Sequence, residues 1–141
     1  MHIQRAALVL VLALCALAPQ RADAQQGSQP RGKKLSTLGQ NYPNPFKPDT
    51  FIPFTIDDCN GPNGQRRATL RIYNVLAQLV SVPQLHGTSR PLINIPLSCG
   101  EYVGHWDGRM GHHGARAASG VYLYELVVDG QRSSRKMFVA R

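Results

Sequence analysis

From Phe51 onward the apolar residues fall into short runs, each broken within about a dozen residues by Gly, Pro, Asn or Asp. FIPFTID, RATLRIYNV and QLVSVP follow one another, with the turn-forming DCNGPNGQ between the first two. In Ala68–Tyr73 the apolar Ala68, Leu70 and Ile72 occupy every second position. That period of two lays one strand face on a core and the other in water. Pro96 assigns the run Leu92–Leu97 to a sheet edge, because proline has no N–H to give an inner ladder. Tyr102–Trp106 is a further strand, followed by the Gly-rich loop Gly108–Gly114. Val121–Val128 has the clearest strand character, and Asp129-Gly130 is a two-residue hairpin signal joining it to Ser133–Ala140. Only Asn74–Val80 hints at a helix, and it is too short to matter. About seven strands at this spacing predict an all-β, antiparallel two-sheet sandwich.

The N-terminus reads differently. Met1–Arg5 is a short basic start, Ala6–Ala18 is apolar, and Ala22-Asp23-Ala24 is a small-x-small site. Together they predict a secretory leader over residues 1–24, cut between Ala24 and Gln25. The apolar run is well short of the ~20 residues that a helix needs to cross a bilayer, and no later segment is apolar enough, so no transmembrane segment is expected in the mature chain. Leu14 before Cys15 argues against a lipoprotein anchor, whose processing needs a small residue there. Gln25–Gly39 is polar and carries Gly, Pro and Ser, which predicts a flexible linker and leaves 40–141 as the folded domain. The expected location is the periplasm, the outer-membrane surface or the medium.

Export changes what charge and sulfur imply. The chain has 141 residues with 16 Lys and Arg against 8 Asp and Glu, enough for one small domain and too little for separate cofactor and substrate domains. Outside the cytoplasm this positive balance is directed less at nucleic acid than at lipopolysaccharide, acidic glycans or the cell surface, and it also aids solubility. No interleaved aromatic stripe is present for stacking bases. Cys59 and Cys99 are the pair left after the leader, and in an oxidising compartment a disulfide is the default. It would close a loop of about 40 residues, worth roughly 4 kcal/mol on a chain-entropy account.

Signatures of catalysis are missing: there is no Gly-x-Ser-x-Gly elbow, His-Glu-x-x-His pair or phosphate loop. The chain is therefore expected not to be an enzyme and to need no cofactor. His105, Asp107, His112 and His113 could gather zinc or copper, but neighbouring histidines in an extended segment face apart, and a solvated loop is the favoured reading. Asp57–Gly64 offers oxygen ligands without the regular spacing or distal Glu of a calcium loop, so a plain turn is favoured there.

An ordered set of motifs remains. Gln40-Asn41-Tyr42-Pro43-Asn44-Pro45-Phe46-Lys47-Pro48 comes first, then Leu70–Val75 with Leu79-Val80, Trp106-Asp107-Gly108, Ala118-Ser119-Gly120-Val121-Tyr122-Leu123-Tyr124, and Ser134–Met137. In this order they resemble the Ig-like domain named after the flagellar hook-capping protein. They are also similar to the C-terminal sorting domains of type IX (Por) secretion cargo, and the likeness runs over residues 40–141. The resemblance implies an Ig-like sandwich that acts in secretion or surface attachment, with secretion machinery as partner. The alternative is a free-standing structural or adhesive module that binds a surface protein or glycan, and on either reading a monomer is expected. The sequence departs from the cargo pattern in having only Gln25–Gly39, and no passenger domain, ahead of the module.

Each motif also has a physical reading of its own. Pro43, Pro45 and Pro48 are expected to hold their segment stretched across the first sheet edge, with Tyr42 and Phe46 as apolar anchors. Trp106 is expected to fill the interior, and the Asp107 carboxylate to cap backbone N–H groups in the turn at Gly108. Gly120 is expected to adopt a backbone conformation closed to other residues. Tyr122 and Tyr124 point one way and Val121 and Leu123 the other, and the pattern leaves open which pair is core. Arg132, Arg135, Lys136 and Arg141 make a basic terminal strand that suits either translocon recognition or protection of an edge.

Overall fold

The short runs become nine strands in a computed structural model, which describes residues 32–140. They are β1 (Ser36–Leu38), β2 (Thr50–Ile56), β3 (Gln65–Tyr73), β4 (Leu79–Ser81), β5 (Gln84–Leu85), β6 (Ile95–Ser98), β7 (Gly100–Trp106), β8 (Gly120–Val128) and β9 (Gln131–Val139). The leader, its cut between Ala24 and Gln25 and the first part of the expected linker lie outside the described residues, as does Arg141. One sheet runs β1-β2-β7-β5 and the other β4-β3-β8-β9, with β6 also paired to β3. Every strand pairing is antiparallel, and the two sheets form a β-sandwich. Among the described residues there is no α-helix, only a 3-10 turn at Pro62–Gly64.

The seven expected strands are all present. The two beyond them, β1 and β5, are 3 and 2 residues long, too short to show an alternation. β1 falls inside the stretch expected as linker. Ser36 and Leu38 are buried, and Gly39 N donates to Pro53 O at 2.8 Å, so the folded body begins before Gln40. Pro96 does lie on an edge strand, since β6 pairs with β3 alone.

Alternation places the core. Thr50, Ile52, Phe54 and Ile56 point inward from β2, and Ala68, Leu70 and Ile72 from β3. From β8, Tyr122, Tyr124, Leu126 and Val128 are the inward set, so the tyrosines are core and Val121 and Leu123 face out. Full burial of an aliphatic or aromatic side chain stabilises by about 1.5–3 kcal/mol. The Asp129-Gly130 turn has φ of 44° and 83°, the pair of positive values that a two-residue turn needs to match strand twist. It sets the β8–β9 register from Val128↔Gln131 to Gly120↔Val139. Cys59, after β2, is joined to Cys99, between β6 and β7, across a Cα–Cα distance of 5.5 Å. The bridge ties the first sheet to the edge of the second.

Candidate functional site at the proline-rich crossing and the C-terminal strand

Residues 41–48 run from one sheet to the other. Tyr42 bridges Phe51 of β2, and Phe46 bridges Val139 of β9. Residues 43–45 between them, and 47–48 after Phe46, are bends, so the segment is not held stretched. The edge it covers also differs from expectation, because β9 belongs to the C-terminal sheet. Phe46 N donates to Phe138 O and Ala140 N to Phe46 O, each at 3.0 Å, while Asn44 Oδ1 accepts Phe138 N at 2.9 Å. The last residues of β9 thereby gain partners on the side away from β8.

Asn41 is the polar anchor of the crossing. It is 2 % exposed, and its Nδ2 donates to Thr50 Oγ1 at 3.0 Å and to Pro43 O at 3.2 Å. Its backbone N–H donates to Tyr124 Oη at 3.0 Å, and that hydroxyl donates in turn to Gly39 O at 2.8 Å. Burial pushes the Tyr124 phenol above its ordinary value, with the Asn41 N–H and the charge of Arg135 opposing, so the ring stays neutral and able to donate. Thr50 and Tyr124 belong to this network although neither stands out as a polar group in the sequence. The signal for them was a hydroxyl at an inward position of an otherwise apolar strand.

Phe46 is the apolar anchor. Its ring meets Trp106 edge to face at 5.3 Å, and Trp106 meets Tyr122 in the same way at 5.8 Å. Such pairs add about 0.5–1.5 kcal/mol beyond burial. Trp106 is interior, as expected, and its Nε1 donates to Arg109 O at 2.8 Å. Tyr42 is not a second anchor, because it is 51 % exposed and stacks on Phe51 at 5.6 Å. The Asp107 carboxylate accepts Arg109 N at 3.0 Å, closing the expected turn. Gly108 sits there at φ +75°, where a Cβ would strike the carbonyl of Pro48. Gly120 has φ +149° and opens β8, and Ser119 beside it is exposed. Tyr122 Oη donates to Ala118 O at 3.0 Å, across that opening.

Asn41, Phe46, Trp106, Gly108 and Tyr122, which are scattered in sequence, thus converge at one end of the sandwich, whereas Cys59 and Cys99 do not join them. At the surface of this end lies a cleft of about 590 Å³ lined by Phe46–Pro48, Gly108, Arg116, Ala117 and Val139. Its surface is mostly apolar, and among the described residues Lys47 and Arg116 are its charged lining groups.

His105, Asp107, His112 and His113 line a separate cleft of about 240 Å³. His105 Nε2 lies 2.8 Å from Asp49 Oδ2. Among the described residues no three His, Cys, Asp or Glu are grouped closely enough to hold an ion. Asp58, within the stretch read as a plain turn, is 6 % exposed and pairs with Arg66 at 2.9 Å and Lys33 at 3.2 Å. Burial acts to raise its pKa, but the Asn60 N–H and the two cations outweigh it and hold the carboxyl below its ordinary value.

The basic terminal strand is partly engaged: Arg135 Nε donates to Leu38 O at 2.8 Å, and Arg132 pairs with Glu125 at 3.3 Å. No helix of the described residues is long and apolar enough to cross a membrane. Comparison of the chain with known protein families, curated proteins and solved structures finds no match.

Proposed function

We propose that this chain is an exported, non-enzymatic Ig-like module that acts in secretion or cell-surface attachment, in the manner of type IX sorting domains. The observation that carries the reading is the convergence of the motif residues. Asn41–Phe46, Trp106–Gly108 and Ser119–Tyr122 meet at one end of the sandwich, beside the last residues of β9. A rigid end that presents the tail of the terminal strand next to a cationic, largely apolar cleft suits recognition by a protein partner better than chemistry on a small substrate. The half-exposed Tyr42, stacked on Phe51, favours a second reading as an adhesive module, because an amphipathic ring held flat can contact a surface protein or sugar.

The discriminating experiment fuses residues 32–141 behind a secreted reporter in a host with type IX machinery. The reporter should reach the cell surface, and Phe46→Ala together with Gly108→Ala should strand it in the periplasm. Periplasmic retention of the unaltered fusion would reject the sorting reading, and binding of the same fusion to isolated envelope glycans would favour the adhesive one.

A further inference from the structure

The outward face of the β4-β3-β8-β9 sheet is graded from one end to the other. At the tip of the β3–β4 hairpin, Val75 and Leu76 are 71 % and 74 % exposed. The hairpin is braced: Asn74 Oδ1 accepts the N–H groups of Leu76 and Gln78, each at 3.0 Å, and Asn74 Nδ2 donates to Gln78 Oε1 at 2.7 Å. At the same end of the sheet Val121 pairs with Phe138, itself 46 % exposed. One row further in, Tyr73, Leu123 and Lys136 stand side by side, and beyond them Arg71, Glu125 and Ser134. The next row holds Thr69, Val127 and Arg132, with Arg67 last along β3.

Each row is displaced by two residues, or roughly 7 Å along the strand. The outward positions of β3 therefore read Tyr73, Arg71, Thr69, Arg67, and those of β9 read Phe138, Lys136, Ser134, Arg132. Both strands pass from an aromatic ring to a cation in one step. Glu125 is the one carboxylate in these paired rows, and Arg132 already holds it. A solvated sheet face would carry its cations and apolar groups without such an order. Isolated exposed apolar residues are ordinary, but exposed apolar groups gathered at one end of a face with cations set behind them match a membrane interface in depth.

We infer that this face docks on an anionic lipid surface, with Val75, Leu76 and Phe138 entering the acyl boundary and Lys136 and Arg71 meeting lipid phosphates. The surplus of cations supplies the charge complementarity, at about 1 kcal/mol per cation near such a surface. The braced hairpin delivers its two apolar side chains without first having to be ordered. This inference concerns the outward face of the sheet, which meets the crossing only at its edge, where Phe138 bonds Asn44 and Phe46, and it does not depend on the sorting role.

The test is flotation of the full chain with phosphatidylcholine vesicles that contain or lack phosphatidylglycerol. The chain should float with the anionic vesicles and be released by high salt. Val75→Asp with Leu76→Asp, and separately Arg71→Glu with Lys136→Glu, should each lower the vesicle-bound fraction about tenfold or more. All four positions lie outside the core, and circular dichroism confirms that the variants fold. A Leu76→Trp variant reports on the site itself, since Trp106 is 2 % exposed and contributes a constant background. Its emission should shift to the blue on anionic vesicles and be quenched by brominated acyl chains.

Flotation without that shift would place the contact elsewhere in the chain and overturn the inference, as would unchanged flotation of both double variants. Binding to polyglutamate that is lost with Lys136→Glu but kept with Val75→Asp would assign the face to an acidic polymer instead. A dimer that the apolar variants dissociate would assign it to a second copy of the chain.

Discussion

Phe46 contributes to two structures at once: its ring packs on Trp106 while its backbone bonds Phe138 and Ala140. Phe46→Ala should cost about 3–5 kcal/mol, read from urea denaturation, because the cavity opens between the crossing and the core. Gly108→Ala should cost roughly 1–3 kcal/mol in the same assay, since alanine at φ +75° both strains the backbone and meets the Pro48 carbonyl. Protonation is a third lever. Asp58 is held below its ordinary value by the Asn60 N–H, Lys33 and Arg66, against the opposing effect of burial. Asp57 is held down by hydrogen bonds from Thr37 and Thr55. A depressed carboxyl stabilises the fold above its unfolded-state pKa, and that contribution is lost as pH falls through the folded value. The urea midpoint should therefore be flat from neutral pH down to about 5 and fall below about 4. Asp58→Asn should flatten that acid limb. At this scale the sequence was informative about Trp106, Asp107 and Gly108, whose roles follow from local turn chemistry and size. It was silent on Asp58, whose partners Lys33 and Arg66 arrive from the segment before β1 and from β3.

The terminal hairpin shows how an element is specified and then completed from outside. Alternation in Val121–Val128 and the Asp129-Gly130 turn are local, so strand, turn and register were all legible. Which face was core was not, because both faces are largely apolar, the aliphatic Val121 and Leu123 against the larger but hydroxyl-bearing Tyr122 and Tyr124. The tyrosines won the interior because Tyr124 Oη finds Gly39 O and Asn41 N, and Tyr122 Oη finds Ala118 O, so their polar tips are satisfied where they are buried. The free side of β9 is closed by a distant segment. Asn44→Ala should leave the Phe138 amide to water and speed hydrogen exchange at Phe138 and Ala140, with a change in global stability of only about 1 kcal/mol. Protection at Leu126 and Val128 should be unaffected. β1 and β5 escaped the sequence reading because strands of 3 and 2 residues are set by the neighbours that receive them, β2 and β7.

For the whole molecule the central restraint is the bridge between Cys59 and Cys99, which are 40 residues apart. Replacing both with serine should lower stability by about 4 kcal/mol, measured by urea titration against the oxidised protein, because the unfolded chain regains the freedom that the loop removes. A small sandwich has little stability to spare, so the same variant should be the first to unfold on warming. The bridge, the all-β architecture and the hairpin were readable from residues 51–140, since each rests on composition, on a period of two or on turn chemistry between near neighbours. What the tertiary structure alone decided is where Asn41–Phe46 goes. Its prolines and aromatics carry no periodicity that points to a partner. Tyr42 finds Phe51 of β2 locally, but Phe46 meets Val139 of β9 nearly the length of the domain away in sequence, and that contact exists only once the terminal strand has joined its sheet.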